Sequence, residues 1–436
     1  MHVAILGYGL EGRESARYWR GLGNEITICD QDNTIEAEMP DFKLKLGQDY
    51  LKNLQNFDLI VRTAGLNPAK ILEANPDNPD IANKITSSVN EFLNKCSSRN
   101  IIGVTGTKGK GTTSTLIAKM LEASGKTVHL GGNIGIAPLE LLAKINAEDW
   151  VVLELSSFQL SDIRRSPHIA VCLMVVSEHL DWHIDASDYM EAKANLFRHQ
   201  TSEDIAIYFA KSEDSKKIAW HSPGKKVPYF EPSGAYIRED GMIMMDQTEV
   251  IHKNEVKLLG EHNLQNICAA VTAVYEAIGT LDKAKAVLSS FSGLEHRLEL
   301  VRELDGIKYY DDSFGTTPET AIVAMQALEQ PKIMILGGSD KGALFDELTD
   351  EVIKNNAKHV IAIGDTGSVI SNLLRQKGYT QITEGLTKMA DIVAEAKRLA
   401  TDGDVVLLSP GCASFGLFND YKDRGKQFKS AVLALS

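Results

Sequence analysis

Cysteine is sparse in this 436-residue chain, positive charge is outnumbered, and no apolar run comes near the length of a membrane-spanning helix. The five cysteines (Cys29, Cys96, Cys172, Cys268 and Cys412) are scattered, odd in number and mostly set among apolar neighbours. That pattern argues against a disulfide framework or a zinc site, and for buried thiols in a reducing compartment. Lysine and arginine total 46 against 59 aspartates and glutamates, a formal net charge of -13. Nucleic acid is therefore not an expected partner, and an anionic substrate must be held by local cations and helix N-termini. Low-complexity segments, heptad arrays and solenoid repeats are missing too. Met1-His-Val-Ala-Ile-Leu6 opens directly as a strand, so no charged leader is expected. What remains is the composition of a soluble globular protein, 43% hydrophobic and 24% charged. The length suits roughly two to four domains.

The most informative stretch is Ile101-Ile-Gly-Val-Thr-Gly-Thr-Lys-Gly-Lys-Gly-Thr-Thr113, an apolar run that breaks into a loop of glycine, lysine and threonine. Helical spacing follows at 115–122. A strand, a glycine-rich turn and a helix start form a polyphosphate site. Backbone N–H groups converge in the turn, the helix N-terminus is partly positive, and a lysine reaches the outer phosphates. Gly106, Thr107, Lys108, Gly109, Lys110, Gly111, Thr112 and Thr113 are the candidate ATP-binding residues. The spacing is tighter than the general P-loop, and Gly111 stands where a magnesium-binding hydroxyl is expected. Thr112 or Thr113 would have to supply it. An ordinary glycine-rich turn would not need two lysines and three hydroxyls.

The first segment reads as a small α/β domain. His2-Val-Ala-Ile-Leu6 is a strand, Gly7-Tyr-Gly-Leu-Glu-Gly12 a G-x-G-x-x-G turn, and 13–22 a helix. Glu25-Ile-Thr-Ile-Cys29 is a second strand with Asp30 at its carboxyl end. By spacing this is a dinucleotide fingerprint, which says only that a phosphorylated nucleotide fits the helix N-terminus. Phe57-Asp-Leu-Ile-Val61 is a later strand, followed by the turn Thr63-Ala-Gly-Leu-Asn-Pro68. Residues 91–98 read as a short polar stretch.

In the middle segment, Trp150-Val-Val-Leu-Glu-Leu155 and Ile169-Ala-Val-Cys-Leu-Met-Val-Val176 are continuous apolar runs, as expected of parallel strands covered on both faces. Ligands bind at the carboxyl ends of such strands, so Glu154 and His179 are expected to face the phosphate loop as magnesium-site groups. From position alone His179 is as readily a loop histidine. Lys193, on a helix at 188–199, reads from its pattern as a solvated lysine. Residues 229–259 alternate as a small β-meander. Asn263 reads as a helix-start residue before an alanine-rich helix, and Asn266 as an exposed one. The last segment restarts near Gly293. Strands at 307–311, 332–336, 359–363 and 404–408 alternate with helices at 318–328, 368–377 and 386–400, giving a mostly parallel sheet.

Taken together these residues resemble a family. Thr105-Gly-Thr-Lys-Gly-Lys110, Gly132-Asn-Ile-Gly135, Glu154-Leu-Ser-Ser-Phe-Gln-Leu160, Glu178-His-Leu-Asp181, His262-Asn-Leu-Gln-Asn266 and His296-Arg-Leu-Glu299 stand in the order found in the Mur ligases. These are the ATP-dependent amino-acid-adding enzymes of peptidoglycan precursor synthesis. The Gly7–Gly12 turn, Tyr310-Asp-Asp-Ser-Phe-Gly-Thr-Thr-Pro318, Leu336-Gly-Gly-Ser-Asp-Lys341, Leu408-Ser-Pro-Gly-Cys-Ala-Ser-Phe415 and Arg424-Gly-Lys-Gln-Phe428 are similar to the members that add D-glutamate to UDP-N-acetylmuramoyl-L-alanine. The resemblance spans nearly the whole chain.

It implies an α/β protein of three domains: a Rossmann-like UDP-substrate domain (1–95), a central P-loop ATPase-type domain with a β-meander (96–293) and a Rossmann-like amino-acid domain (294–436). Lys110 would hold the outer phosphates of ATP. Thr112, Glu154, His179 and a carbamylated Lys193 would hold two magnesium ions, which overrides the bland reading of Lys193. Lys110, Lys193 and His179 would be the catalytic groups. Asn263 and Asn266 would contact adenine, with Arg297 and Asp312 reaching the nucleotide. Gly9, Leu10, Glu11, Asp30 and Gly65 would hold the UDP-sugar, and Asn133, Ser156 and Gln159 the muramoyl-alanine arm. Thr316, Lys341, Ser414, Phe415 and Tyr421 would hold D-glutamate. A cytoplasmic monomer with no membrane or nucleic-acid partner is expected.

Two departures stand out. Gly111 replaces the usual Ser/Thr, leaving the hydroxyl open between Thr112 and Thr113. Phe314 stands where some members carry a lysine, which shifts glutamate binding towards Lys341. A folate-polyglutamylating ligase shares the central motifs but not the Gly7–Gly12 domain. A nicotinamide dehydrogenase leaves the Lys110 loop without a purpose. A regulatory nucleotide-binding protein would not need Glu154, His179, Lys193 and Lys341 together.

Overall fold

The computed structural model describes all residues except 135, 177–181, 259, 340–342 and 356. It divides into two compact units, Met1–Phe291 and Ser292–Ser436.

The first unit opens with five parallel strands: β1 (His2–Leu6), β2 (Glu25–Asp30), β3 (Lys43–Leu46), β4 (Leu59–Arg62) and β5 (Ile85–Ser87). They lie in the order β3-β2-β1-β4-β5. The order reverses between β1 and β4, which sets the Gly7 turn beside the Thr63–Leu66 turn at the carboxyl edge, the place where such sheets take ligands. Val3, Ile5, Ile28 and Val61 on one face and Ala4, Leu6 and Ile60 on the other are fully buried. Coverage on both faces is why these strands are continuously apolar. Residues 91–98, read from sequence as a polar stretch, lie largely within a helix, Ser88–Lys95, capped by the Ser87 hydroxyl. Its Val89, Phe92 and Leu93 are buried at i, i+3 and i+4 spacing.

A second parallel sheet follows: β6 (Ile101–Thr105), β7 (Val128–Gly132), β8 (Trp150–Glu154), β9 (Ile169–Cys172), β10 (Ile205–Phe209) and β11 (Lys225–Tyr229). Its order is β11-β10-β9-β6-β8-β7. β6 is thus central, flanked by β8 and β9 in register, with Val104 opposite both Glu154 and Val171. Three loop starts converge at one edge. The meander is a small antiparallel sheet of β12 (Tyr236–Ile237), β13 (Met242–Met245) and β14 (Thr248–His252). Tyr229, where the sequence pattern began the meander, instead ends the parallel strand β11.

The second unit holds β15 (Glu299–Leu304), β16 (Ile307–Asp311), β17 (Lys332–Leu336), β18 (Ala357–Ala362), β19 (Ile382–Thr383) and β20 (Val405–Leu408). The order is β15-β16-β20-β17-β18-β19, with only β15 antiparallel. β17 and β20 are neighbours, and Ser339 bridges to Ala413 beyond their ends. Cys29, Cys172, Cys268 and Cys412 are buried, Cys96 is half-buried, and all five are free thiols. Among the described residues no helix is long and apolar enough to cross a membrane.

Candidate active site

β6 delivers the chain into a turn that only glycine can make. Gly106 has φ 146°, and a Cβ there would lie 2.6 Å from Leu173 Cβ. Gly109, at φ 86°, caps the helix Lys110–Ala123, and a Cβ on it would lie 2.1 Å from Asn266 Oδ1. Backbone and hydroxyl of Thr107 tie the turn to the loop after β9: its N–H donates to Met174 O (2.9 Å) and its hydroxyl to Val176 O (2.8 Å). The same hydroxyl lies 2.9 Å from the Tyr189 hydroxyl. These bonds fasten the turn to the loop after β9 and to the helix that carries Tyr189. Lys110 folds over it, Nζ donating to Gly106 O (3.1 Å) and Thr107 O (2.9 Å). Thr113 is fully buried, its hydroxyl without a hydrogen-bond partner among the described residues, and Thr112 is 9% exposed. Lys108 is exposed beside the turn, and Gly111 is buried in the first helical turn.

Around this turn the parallel sheet gathers the other central residues. Glu154 ends β8, is 4% exposed, and accepts from Asn133 Nδ2 at 3.1 Å. Asn133 in turn donates its N–H to Glu154 O (2.8 Å). Lys193, on the helix Ala186–Arg198, is the correction to local pattern: it is 1% exposed, not solvated. Its Nζ donates to Gly106 O at 2.9 Å and stands 4.4 Å from the Tyr189 ring centroid. Asn266 likewise is buried, not exposed; its Nδ2 donates to Asn263 Oδ1 at 3.2 Å while its Oδ1 crowds Gly109. Asn263 lies within the first turn of the helix Glu261–Ile278. Ser156 and Gln159 form a reciprocal capping box on the short helix Ser157–Leu160. His179 lies outside the described residues.

At the first sheet, Asp30 serves the turn itself: its carboxylate accepts from Tyr8 N (2.7 Å) and Asp32 N (3.0 Å). Gly12 is buried so tightly that a Cβ would meet Gly7 O at 1.9 Å. Gly9 and Gly65 have open space above them, which leaves room for a ligand to approach the backbone. Leu10 is exposed. Glu11 pins two neighbours, accepting from Ala64 N (2.9 Å) and the Ser88 hydroxyl (2.5 Å).

In the second unit Arg297 stacks over Phe314, its guanidinium carbon 4.7 Å from the ring, and Phe314 meets Tyr421 edge-on at 5.3 Å. Asp312 is 6% exposed and accepts from the Ser409 hydroxyl (2.6 Å) and Leu298 N (3.0 Å). Burial pushes its carboxyl up to about 6 despite those donors. Ser414 is buried just past β20, Phe415 and Thr316 are exposed, and Lys341 lies outside the described residues. Local reading gave no role to Arg424, a fully buried guanidinium. It donates to the Ser313 hydroxyl (2.9 Å), Ser313 O (2.9 Å) and Cys412 O (3.1 Å). Burial pulls it down to about 10. It thereby ties the Asp312 turn to the loop after β20. Nothing short-range in Arg424-Gly-Lys-Gln-Phe428 could reveal that, because every partner is distant in sequence.

A parallel sheet that runs into a glycine–lysine turn at a helix start, with a buried carboxylate on the adjoining strand and a buried lysine against the turn, has the form of a P-loop-type site. The family follows from comparison. Residues 104–274 match the Mur ligase middle domain and residues 296–412 match the Mur ligase, glutamate ligase domain. The chain belongs to the Mur ligase family. It is 37% identical to the UDP-N-acetylmuramoylalanine--D-glutamate ligase of Symbiobacterium thermophilum, over 100% of this chain and 98% of that one. To the ligase of the same name from Acetivibrio thermocellus it is 36% identical, over 99% of this chain and 96% of the other. Among solved structures, the MurF ligase of Thermotoga maritima in complex with ADP shares the fold: TM-score 0.55, 18% identity, 99% of this chain and 94% of that one.

Proposed function

We propose that this chain is the ATP-dependent ligase that joins D-glutamate to UDP-N-acetylmuramoyl-L-alanine in the cytoplasm, acting as a monomer. The observation that carries the chemistry is the Gly106–Lys110 turn with Glu154 and Lys193 on adjoining elements. The curated relatives of that name match along the full chain, which supports the choice of substrates. Residues 1–95, 96–293 and 294–436 are assigned to UDP-substrate, ATP and amino acid respectively.

The reaction runs in two steps. The alanine carboxylate of the UDP-substrate attacks the γ-phosphorus of ATP, the β–γ bridge breaks, and an acyl phosphate and ADP form. The amine of D-glutamate, having lost a proton, then attacks the acyl carbon and expels inorganic phosphate. Lys110, released from the Gly106 and Thr107 carbonyls, would meet the transferring phosphoryl oxygens, where negative charge accumulates. Asn263 and Asn266 would orient the adenine end, and Arg297 and Asp312 are further candidates for nucleotide contact. Ser156, Gln159 and Asn133 would hold the acceptor arm in line, Thr316, Lys341, Ser414, Phe415 and Tyr421 the amino acid.

Magnesium fits the donor set. Glu154 is a buried carboxylate whose nearby donor, Asn133, is neutral, and Thr112 lies in the first turn of the helix that starts at Lys110. Glu154, Thr112, His179 and Lys193 as its carbamate would hold two ions, which when bound offset the charge of the phosphates. Lys193 is suited to carbamylation, since its buried amine already rests against the turn. Incubation with ATP, UDP-N-acetylmuramoyl-L-alanine and single amino acids, scored by phosphate release, tests the reading. D-glutamate should be the preferred acceptor. Faster addition of L-alanine or a diamino acid would overturn the substrate assignment, and no amino-acid-dependent release would overturn the ligase.

A further inference from the structure

Arg62, the last residue of β4, is fully buried and places its guanidinium between two elements about a hundred positions apart in sequence. Nε donates to Asp162 Oδ2 (2.7 Å), and one terminal nitrogen donates to Asp162 Oδ1 (2.5 Å), the Ser161 hydroxyl (2.8 Å) and Phe158 O (2.9 Å). The other reaches Thr63 O and Leu66 O, both at 3.3 Å. One side chain thus holds the 63–66 turn on the first sheet and the carboxyl end of the helix Ser157–Leu160 on the second. A second connection closes the ring. Trp182 packs against Phe158, ring centroids 4.7 Å apart, and its indole N–H donates to Gly65 O at 3.0 Å. Asn67 Nδ2 donates back to Trp182 O at 2.9 Å.

We infer that Arg62 is a positioning residue that fixes the separation between the uridine-side turn at Gly65 and the Ser156/Gln159 helix that receives the muramoyl-alanine arm. The inference rests on the substrate reading above. A UDP-sugar held at both ends presents its carboxylate to ATP only if those two elements keep one spacing. A bidentate fork with four further acceptors sets such a spacing more tightly than a point charge can. Displacement of a substrate by about 1 Å costs on the order of 100-fold in rate. Every one of these Arg62 donors ends on a protein acceptor, so its effect runs through the two elements it joins, neither of which carries the Gly106–Lys110 turn.

The test compares the parent with Arg62→Ala, Arg62→Lys and Asp162→Asn by steady-state kinetics and thermal unfolding, and titrates each calorimetrically with UDP-N-acetylmuramoyl-L-alanine. Arg62→Ala should lower kcat/KM for this substrate roughly 10- to 100-fold, with a raised KM, while the KM for ATP stays within about twofold. Arg62→Lys, which keeps the charge without the fork, should fall between parent and alanine variant, and Asp162→Asn should shift the same constants less. A purely structural role would lower the melting temperature and the active fraction but leave both KM values at the parent level. That result overturns the inference. Should Arg62→Ala fail to fold, the lysine and asparagine variants decide by the same split. A parent that ligates none of the offered acceptors refutes the proposed activity and this inference with it. An active parent with unshifted variants refutes the inference alone.

Discussion

Gly109→Ala is expected to weaken ATP use through two separable causes. The residue sits at φ 86°, where an L-side chain costs about 1 kcal/mol, and the new methyl would stand 2.1 Å from Asn266 Oδ1. Asn266 must then swing away, giving up its bond to Asn263, which is worth about 1 kcal/mol for a half-buried neutral pair. If the free protein relieves both by shifting the loop, nucleotide binding must restore them. The KM for ATP then rises by the equivalent of about 2 kcal/mol, roughly 30-fold, with the KM for the UDP-substrate unchanged. Asn266→Ala removes the obstruction in advance. In the double variant the steric share is counted once, so the two changes should fall short of additivity by about 1 kcal/mol. Initial rates over a range of ATP concentrations, for parent, both single variants and the double variant, measure all of it. A Gly109→Ala protein with the parent KM for ATP, or strict additivity, would refute the view that Asn266 and the Gly106–Lys110 turn act as one packed unit in nucleotide binding.

Three further outcomes are expected. Lys110→Ala should abolish phosphate release while circular dichroism and melting temperature stay near the parent, because in the proposed mechanism it removes the charge that would meet the transferring group; near-parent turnover would sink that mechanism. Lys193→Ala should lose most activity and regain part of it with a short carboxylic acid, which restores a carboxylate beside the Gly106 turn; an active alanine variant would return Lys193 to a packing role. Asp312, with its carboxyl pushed up to about 6 from an ordinary 3.8, binds a proton in the folded state at pH values where the unfolded chain has released it. Its contribution is present below about pH 4 and is lost as pH rises through about 6, so between pH 4 and 7 the parent should lose more stability than Asp312→Asn. Urea midpoints at three pH values check this, and parallel profiles for the two proteins would count against it.

The parts legible in the sequence are those whose cause is local. β6 and its turn announce themselves because strand, glycine, lysine and helix start are contiguous, and β1, β8 and β17 because strands covered on both faces are apolar throughout. β3 escaped because Lys43–Leu46 is an edge strand alternating lysine with leucine, and β5 and β19 are only three and two residues long. Lys193 and Asn266 look like surface residues on their own helices. Each falls on the buried face of its helix, Lys193 between Tyr189 and Phe197 and Asn266 one turn before Ala270, and the Gly106–Gly109 turn covers them there; their polarity masked that position. Family resemblance supplied those roles; the residues alone did not. Arg62 had neither signal, since Phe158, Ser161 and Asp162 lie far away in the chain; Arg424 stood inside a family motif but without a role, since Ser313 is equally remote.

The burial of the native thiols has a practical side. Loss of hydration holds Cys29 up to about 12, Cys172 up to about 11, and Cys268 and Cys96 above the ordinary thiol range, so little thiolate exists near neutral pH. Maleimide dyes and cysteine-directed inhibitors should therefore react slowly with the folded parent, as a free-thiol titration under native and denaturing conditions would show. A fluorophore pair can be introduced through one new exposed cysteine in Met1–Phe291 and another in Ser292–Ser436 without first removing the five native residues. Energy transfer between them would then follow the spacing of the two units as nucleotide, UDP-substrate and amino acid are added in turn.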